Sequence, residues 1–201
     1  MSEKGFSLTK LQSSAVQRWQ DWRGDMAESG PWAKVGVSVA SVYFVIVIVM
    51  SFLWGSELDV VAIEDSIQKE ISDTNKHNVV GVATTVSLMS VTNAMLSKPG
   101  GYLSNDVTPP GVLMDNIPQW EYGVLIQVRD LTKAMREAFS RSQSQSTEDK
   151  DLALAESRFN FDHSSWLVPQ TESEYREGID YVGNYLARLI DDNRQNAQFY
   201  A

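Results

Sequence analysis

The chain has 201 residues, of which 43% are hydrophobic and none is cysteine. That length admits one domain of ordinary size plus an anchor, and the lack of cysteine excludes disulfides, a thiolate nucleophile and a cysteine-ligated metal. Residues 1–34 carry five basic and four acidic side chains, a net of +1, whereas residues 55–201 carry 12 basic and 22 acidic ones, a net of −10, a balance that disfavours nucleic acid because phosphate binding needs a basic face.

The first 31 residues read as a cytoplasmic arm. Leu8, Leu11, Ala15, Trp19, Trp22 and Met26 recur every three or four places, which predicts one apolar stripe on an amphipathic helix. Lys10, Arg18 and Arg23 lie elsewhere on the wheel, so the helix suits a membrane surface; docking into a partner's groove is the other reading.

Residues 32–56 form the predicted transmembrane segment. No charge occurs between Lys34 and Glu57, and twenty apolar residues at about 1.5 Å each span a bilayer core of roughly 30 Å. A buried strand pair would need a turn that the centre lacks. Gly30 and Pro31 break any preceding helix, and Trp32 and Trp54 stand at opposite ends, where indoles favour the interface. Gly36 and Ala40 offer a small-residue pair to a second copy. A cleaved signal peptide is disfavoured by the long preceding region and the bulky "SFLWGSELD" that follows. Only Lys69 is basic in the residues just after the span, so the arm is expected in the cytoplasm and residues 57–201 in the periplasm of a bacterial inner membrane.

Beyond the span the pattern is helical throughout, and the expected fold is all-α, a periplasmic bundle with two long aromatic-rich loops. Val60, Ile63, Ile67 and Ile71 keep helical spacing. So do Val82, Val86, Met89, Asn93 and Leu96, in a run apolar enough for a buried helix or, less favourably, a second span. Next comes "KPGGYLSNDVTPPGVLMDNIP", Lys98 to Pro118, with four of the six prolines. Gly100 and Gly101 permit a sharp exit from the helix ending near Lys98. Tyr102, Leu103, Val107, Val112, Leu113, Met114 and Ile117 are too apolar for a solvated linker, so the loop either covers the bundle or meets a partner.

Trp120, Val124, Val128, Leu131, Met135 and Phe139 mark a further helix. Thr147 and Asp149 are the candidate caps of a short one, and "NFDHSSWLVP" is the second loop, expected to pack on the first. Thr171 and Glu174 have capping-box spacing, and Tyr175, Ile179, Val182, Leu186, Leu189, Asn193 and Ala197 continue a near-heptad stripe. No stop signal follows Ala197, which predicts a chain cut within a helix.

Chemistry is sparse. His77 and His163 have no ligand-spaced His or Cys neighbours, so no metal is expected. Ser164 and Ser165 beside His163 lack a G-x-S-x-G turn. Asn105, Asp106, Asp115 and Asn116 miss calcium-loop spacing, and no phosphate loop or cofactor motif occurs.

The runs "KPGGYLSNDVTPPGVLMDNIPQWEYGVLIQVRDL" and "SRFNFDHSSWLVPQTESEYREGIDYVGNYLARL" resemble the bacterial family known as domain of unknown function 2333. The resemblance covers roughly residues 35–201 and implies a single-span inner-membrane protein with a helical periplasmic part, extending further along its C-terminal helices. It carries over no catalytic residue.

The expectation is therefore a non-enzymatic envelope protein, with the bilayer and an envelope protein as partners and self-association through the anchor and last helix as a further reading. Its candidate interaction surface is Tyr102, Asp106, Asp115, Trp120, His163 and Trp166. The alternative is an enzyme or ligand-binding domain with a cleft under the 98–118 loop, drawing on Asp106, Asp115, Glu121 and His163.

Overall fold

The computed structural model describes residues 16–25, 29–55, 60–73, 78–141, 147–191 and 197–200, and among them every regular element is helical. Leu8, Leu11, Ala15 and Met26 of the expected arm stripe, together with His77 and Asn193, lie outside the described residues. The chain divides into two compact units, Met1–Ile48 and Val49–Ala201.

In the first unit, helix α1 covers residues 16–25 and is exposed throughout. The Arg23 guanidinium lies 4.7 Å over the Trp19 ring. Helix α2, Pro31–Trp54, begins in this unit and ends in the second, whose range opens at Val49; it starts at the proline, whose missing N–H costs nothing in a first turn. The Gly30 carbonyl accepts from Ala33 and Lys34 N–H at 3.1 and 3.3 Å. At 24 residues α2 is long and apolar enough to cross a membrane. Val39 and Phe44 are about two-thirds exposed, a pattern suited to lipid rather than to a soluble core.

In the second unit α3 (Val60–Asp73) packs on α4 (Val82–Ser97), with Ser90 donating to Glu70 at 2.8 Å. Helix α4 belongs to the core: Val82, Val86, Leu88, Met95 and Leu96 are buried, as the buried-helix reading expects. Asn93 differs from expectation and faces solvent, while Thr85 and Thr92 are buried instead. Each of those threonines donates to its own helix, Thr85 to Gly81 O at 2.8 Å and Thr92 to Leu88 O at 2.7 Å. A hydroxyl satisfied in this way counts as small and nearly apolar on the packing face.

Helix α5 runs Asn116–Ala134 and continues as a π-helical turn, Met135–Phe139. Its buried line is Glu121, Leu125, Val128, Thr132 and Met135; Val128 and Met135 belong to the expected stripe, and Val124, Leu131 and Phe139 pack partly buried against the same core. Trp120 stays 36% exposed. Helix α6, Lys150–Phe159, is capped by Asp149, whose carboxylate accepts from the Asp151 and Leu152 N–H groups. Helix α7 is Thr171–Leu189. Leu125, Val128, Leu152, Ala155, Phe159, Tyr175, Val182 and Tyr185 form the centre of the core between α4, α5, α6 and α7.

Two expectations about α7 are corrected. Its N-cap position is Gln170, without a side-chain cap, because Thr171 is fully buried and turns its hydroxyl to the carbonyls of Asp162 and Ser165. The helix also stops at Leu189. Residues 197–200 are not helical: Tyr200 N–H donates to Phe139 O at 2.7 Å, Phe199 stacks on Phe139 at 5.1 Å, and Tyr185 donates to Gln198 O. The heptad-like spacing therefore continues into a segment that packs without helical geometry.

Ion pairs tie α6 to its neighbours. Arg136 reaches Glu156 and Glu148, Arg158 reaches Glu174 and Glu177, and Arg188 reaches Asp149 and Asp151. Asp149 both caps α6 and holds Arg188 of α7 through two contacts of 2.8 Å. Asp149→Ala is expected to lower stability by about 1–3 kcal/mol, summing a lost cap and a weakened half-buried pair. Urea unfolding of the full chain in detergent checks this, with Asp149→Asn recovering the cap but not the charge.

Candidate functional site

The two loops meet on one side of the second unit, and each is held by buried polar groups. Lys98 closes α4 and its ammonium turns inward, with the side chain only 2% exposed. It donates to the carbonyls of Met95 (3.2 Å) and Gly101 and to the Glu121 carboxylate, so its three donors are all used. Glu121, wholly buried, also accepts from Leu103 N–H at 2.9 Å, Ser104 N–H at 2.8 Å and the Ser104 hydroxyl. The chain can fold back on itself here because Gly100 and Gly101 take φ of +89° and +72°, which side chains with a Cβ resist.

The second loop, residues 160–170, is fixed from beneath by Arg129 of α5. Its guanidinium donates to Phe159 O at 2.7 Å and Phe161 O at 2.9 Å, placing a cation at the C-terminal end of α6, where helix carbonyls favour one. Asp162 accepts from the N–H and hydroxyl of Ser164, and these bonds hold its carboxyl below the usual range. Asn105 joins the loops: its amide donates to Ser165 O and to the Glu172 carboxylate, both at 2.9 Å.

Two clefts open along this seam. One, of about 400 Å³, is lined by Ser104, Pro118, Gln119, Tyr122 and His163. The other, of about 210 Å³, is lined by Asn105, Asp106, Val107, Thr108, Trp166, Gln170 and Glu172. Only the first reaches the roughly 300–1,000 Å³ common for small-molecule sites.

The expected surface residues separate on this geometry. Tyr102 is a core residue, 2% exposed and edge-on to Tyr175 at 5.8 Å; burial, reinforced by Tyr175, pushes its phenol well above the ordinary range. An aromatic in a proline- and glycine-rich loop looks like surface, but here it is the loop's plug in the core. Asp106 and Trp166 share the smaller cleft, while His163 lies on the larger one, 5.0 Å from the Tyr122 ring. Asp115 and Trp120 border neither cleft. Among Asp106, Asp115, Glu121 and His163 no hydrogen bond joins any two within the described residues, and Glu121 is committed to Lys98. No group of three or more His, Asp or Glu that could hold a metal is found among the described residues.

Sequence reasoning missed Lys98, Arg129 and Glu172, and it weighed Asn105 only against calcium-loop spacing. Glu121 is expected from sequence only as a polar cleft group; its place four and seven positions before Leu125 and Val128, which extends their buried line to an acid, is the signal that marks it as a core residue.

The family described as "Uncharacterized protein conserved in bacteria (DUF2333)" matches residues 26–201. The chain belongs to that family. No curated protein and no solved structure matches it. Both loops and every residue of the two clefts fall within the matched range.

Removing one member of a buried ion pair strands the other, so Glu121→Ala is expected to cost about 3–5 kcal/mol. Urea unfolding of the full chain reads the loss, and limited proteolysis should then cut within residues 98–115; a loss under about 1 kcal/mol would assign the pair no more than a surface bridge's weight.

Asp106 offers a second test. Burial, with Glu172 adding to it, raises its carboxyl above the ordinary 3.8. The folded chain then holds this proton more tightly than the unfolded one, so the group's contribution to stability falls as pH rises from 3.8 through the raised value. In Glu172→Gln the midpoint should move down but stay above 3.8, since burial is the larger cause. A carboxyl NMR titration of Asp106 measures it.

Proposed function

We propose that this is a single-span protein of the bacterial cell envelope whose helical part binds another envelope protein through the rim formed by the two loops. The arm of residues 1–31 lies in the cytoplasm and residues 57–201 lie in the periplasm. The apolar helix α2 supports the anchor, and the basic residues before it, with the strongly acidic stretch after it, support the orientation.

The observation that carries the reading is the tip of the second loop. Trp166, Leu167 and Val168 are 51%, 60% and 96% exposed, yet they stand on a base fixed by Arg129, Asn105 and Thr171. Exposed tryptophan beside aliphatic neighbours on a rigid support suits a binding hot spot, since little ordering is needed on contact. The acidic rim of Asp106, Asp162 and Glu172 adds charge selectivity toward a basic partner surface.

A photo-crosslinking residue at Leu167 in living cells should trap a discrete adduct. Trp166→Ser and Val168→Ser should each remove most of it while circular dichroism remains unchanged; an undiminished adduct would refute the surface. Alkaline carbonate should leave the chain in the membrane, and protease added to spheroplasts should digest residues 57–201.

A further inference from the structure

The first loop touches the end of the apolar helix on either side of its exposed turn. A Cβ placed on Gly100 would fall 2.7 Å from the Trp54 indole, and one placed on Gly55 would fall 3.6 Å from the Met114 methyl. The last turn of α2 and the residue after it thus touch the 98–115 loop near both of its ends. Within that loop the 3₁₀ turn Gly111–Leu113 leaves Val112 52% and Leu113 71% exposed. The stretch from Val107 to Met114 contains no charged residue.

These facts bear on depth. A tryptophan that ends a span favours the headgroup level. Side chains next to Met114, which rests on Gly55, are held close to that level by the fold. We propose that Val112 and Leu113 dip into the headgroup–acyl boundary of the membrane that α2 crosses, as a shallow second anchor. The inference rests on the single-span reading. The occupant is lipid rather than a protein because the residue that follows the turn packs on the span's own end. With no basic side chain in the turn, apolar burial drives the insertion and added salt leaves it unchanged.

The cysteine-free sequence allows a direct test on the full chain, reconstituted in vesicles of phosphatidylethanolamine and phosphatidylglycerol. An environment-sensitive fluorophore is attached at Leu113→Cys, at Val42→Cys within α2, and at Leu154→Cys on the exposed side of α6. Lipids brominated on their acyl chains are the quencher. Insertion to about 5–10 Å below the surface predicts that the label at 113 loses roughly half of its emission or more, at low and high salt alike, with 154 unaffected. Quenching at 42 but not at 113 would overturn the second anchor and leave the span intact. Absence of quenching at 42 would overturn the span and, with it, this inference. Equal quenching at 113 and 154 would overturn the assignment to this turn.

Discussion

A lysine and a glutamate buried together at the root of the long loop constrain the rest of the second unit. Taking both charges out of water costs several kcal/mol per ion before any attraction is counted. Lys98 and Glu121 meet that cost by using every donor of the ammonium and by giving the carboxylate two backbone N–H groups besides its cation. A hydrophobic pair of equal volume would leave the Leu103 and Ser104 N–H groups without acceptors, so this pair differs from those that apolar substitution improves. Its geometric effect is to pin the end of α4 to the first turns of α5, leaving residues 99–115 to close on themselves.

The pinned loop then serves as a strut. Leu103 and Tyr102 are driven into the core, and Asn105 is left facing the second loop, where its amide satisfies one backbone carbonyl and one carboxylate. Arg129 performs the matching task from α5, binding the end of α6 and the loop that follows it. The exposed tip of Trp166, Leu167 and Val168 therefore sits on a lattice of polar contacts that reaches back to three helices. Loops as long as these are commonly packed or functional; here the packed root and the bare tip belong to the same structure.

Reading the residues in order located the helices and left their roll ambiguous. The apolar run of α2 and the cap at Asp149 depend on local chemistry, so they were legible. The positive φ of Gly100 and Gly101 was legible for the same reason. On α5 the expected stripe holds at Val128 and Met135 and fails at Trp120, which looks more core-like than Glu121, because an acid becomes a core residue only when a distant lysine and two loop N–H groups reach it. Thr171 fitted a capping box by spacing, but the loop before α7 claimed its hydroxyl. The end of α7 was hidden because apolar spacing does not tell a helix from a segment that packs its aromatics by other means. At the site, Asp106, His163 and Trp166 border clefts while Tyr102 lies in the core, a difference hidden in the sequence because burial is a property of the assembled loop.

The threonines of the core add a mechanical point. Thr85, Thr92 and Thr132 each spend their hydroxyl on a carbonyl one turn back along their own rod. They thus bring oxygen into the interior without offering a latch to the neighbouring rod. These three hydroxyls therefore do nothing to oppose one rod sliding past the next, and that resistance falls to the shapes of the core side chains, the rings of Phe159 and Tyr185 among them.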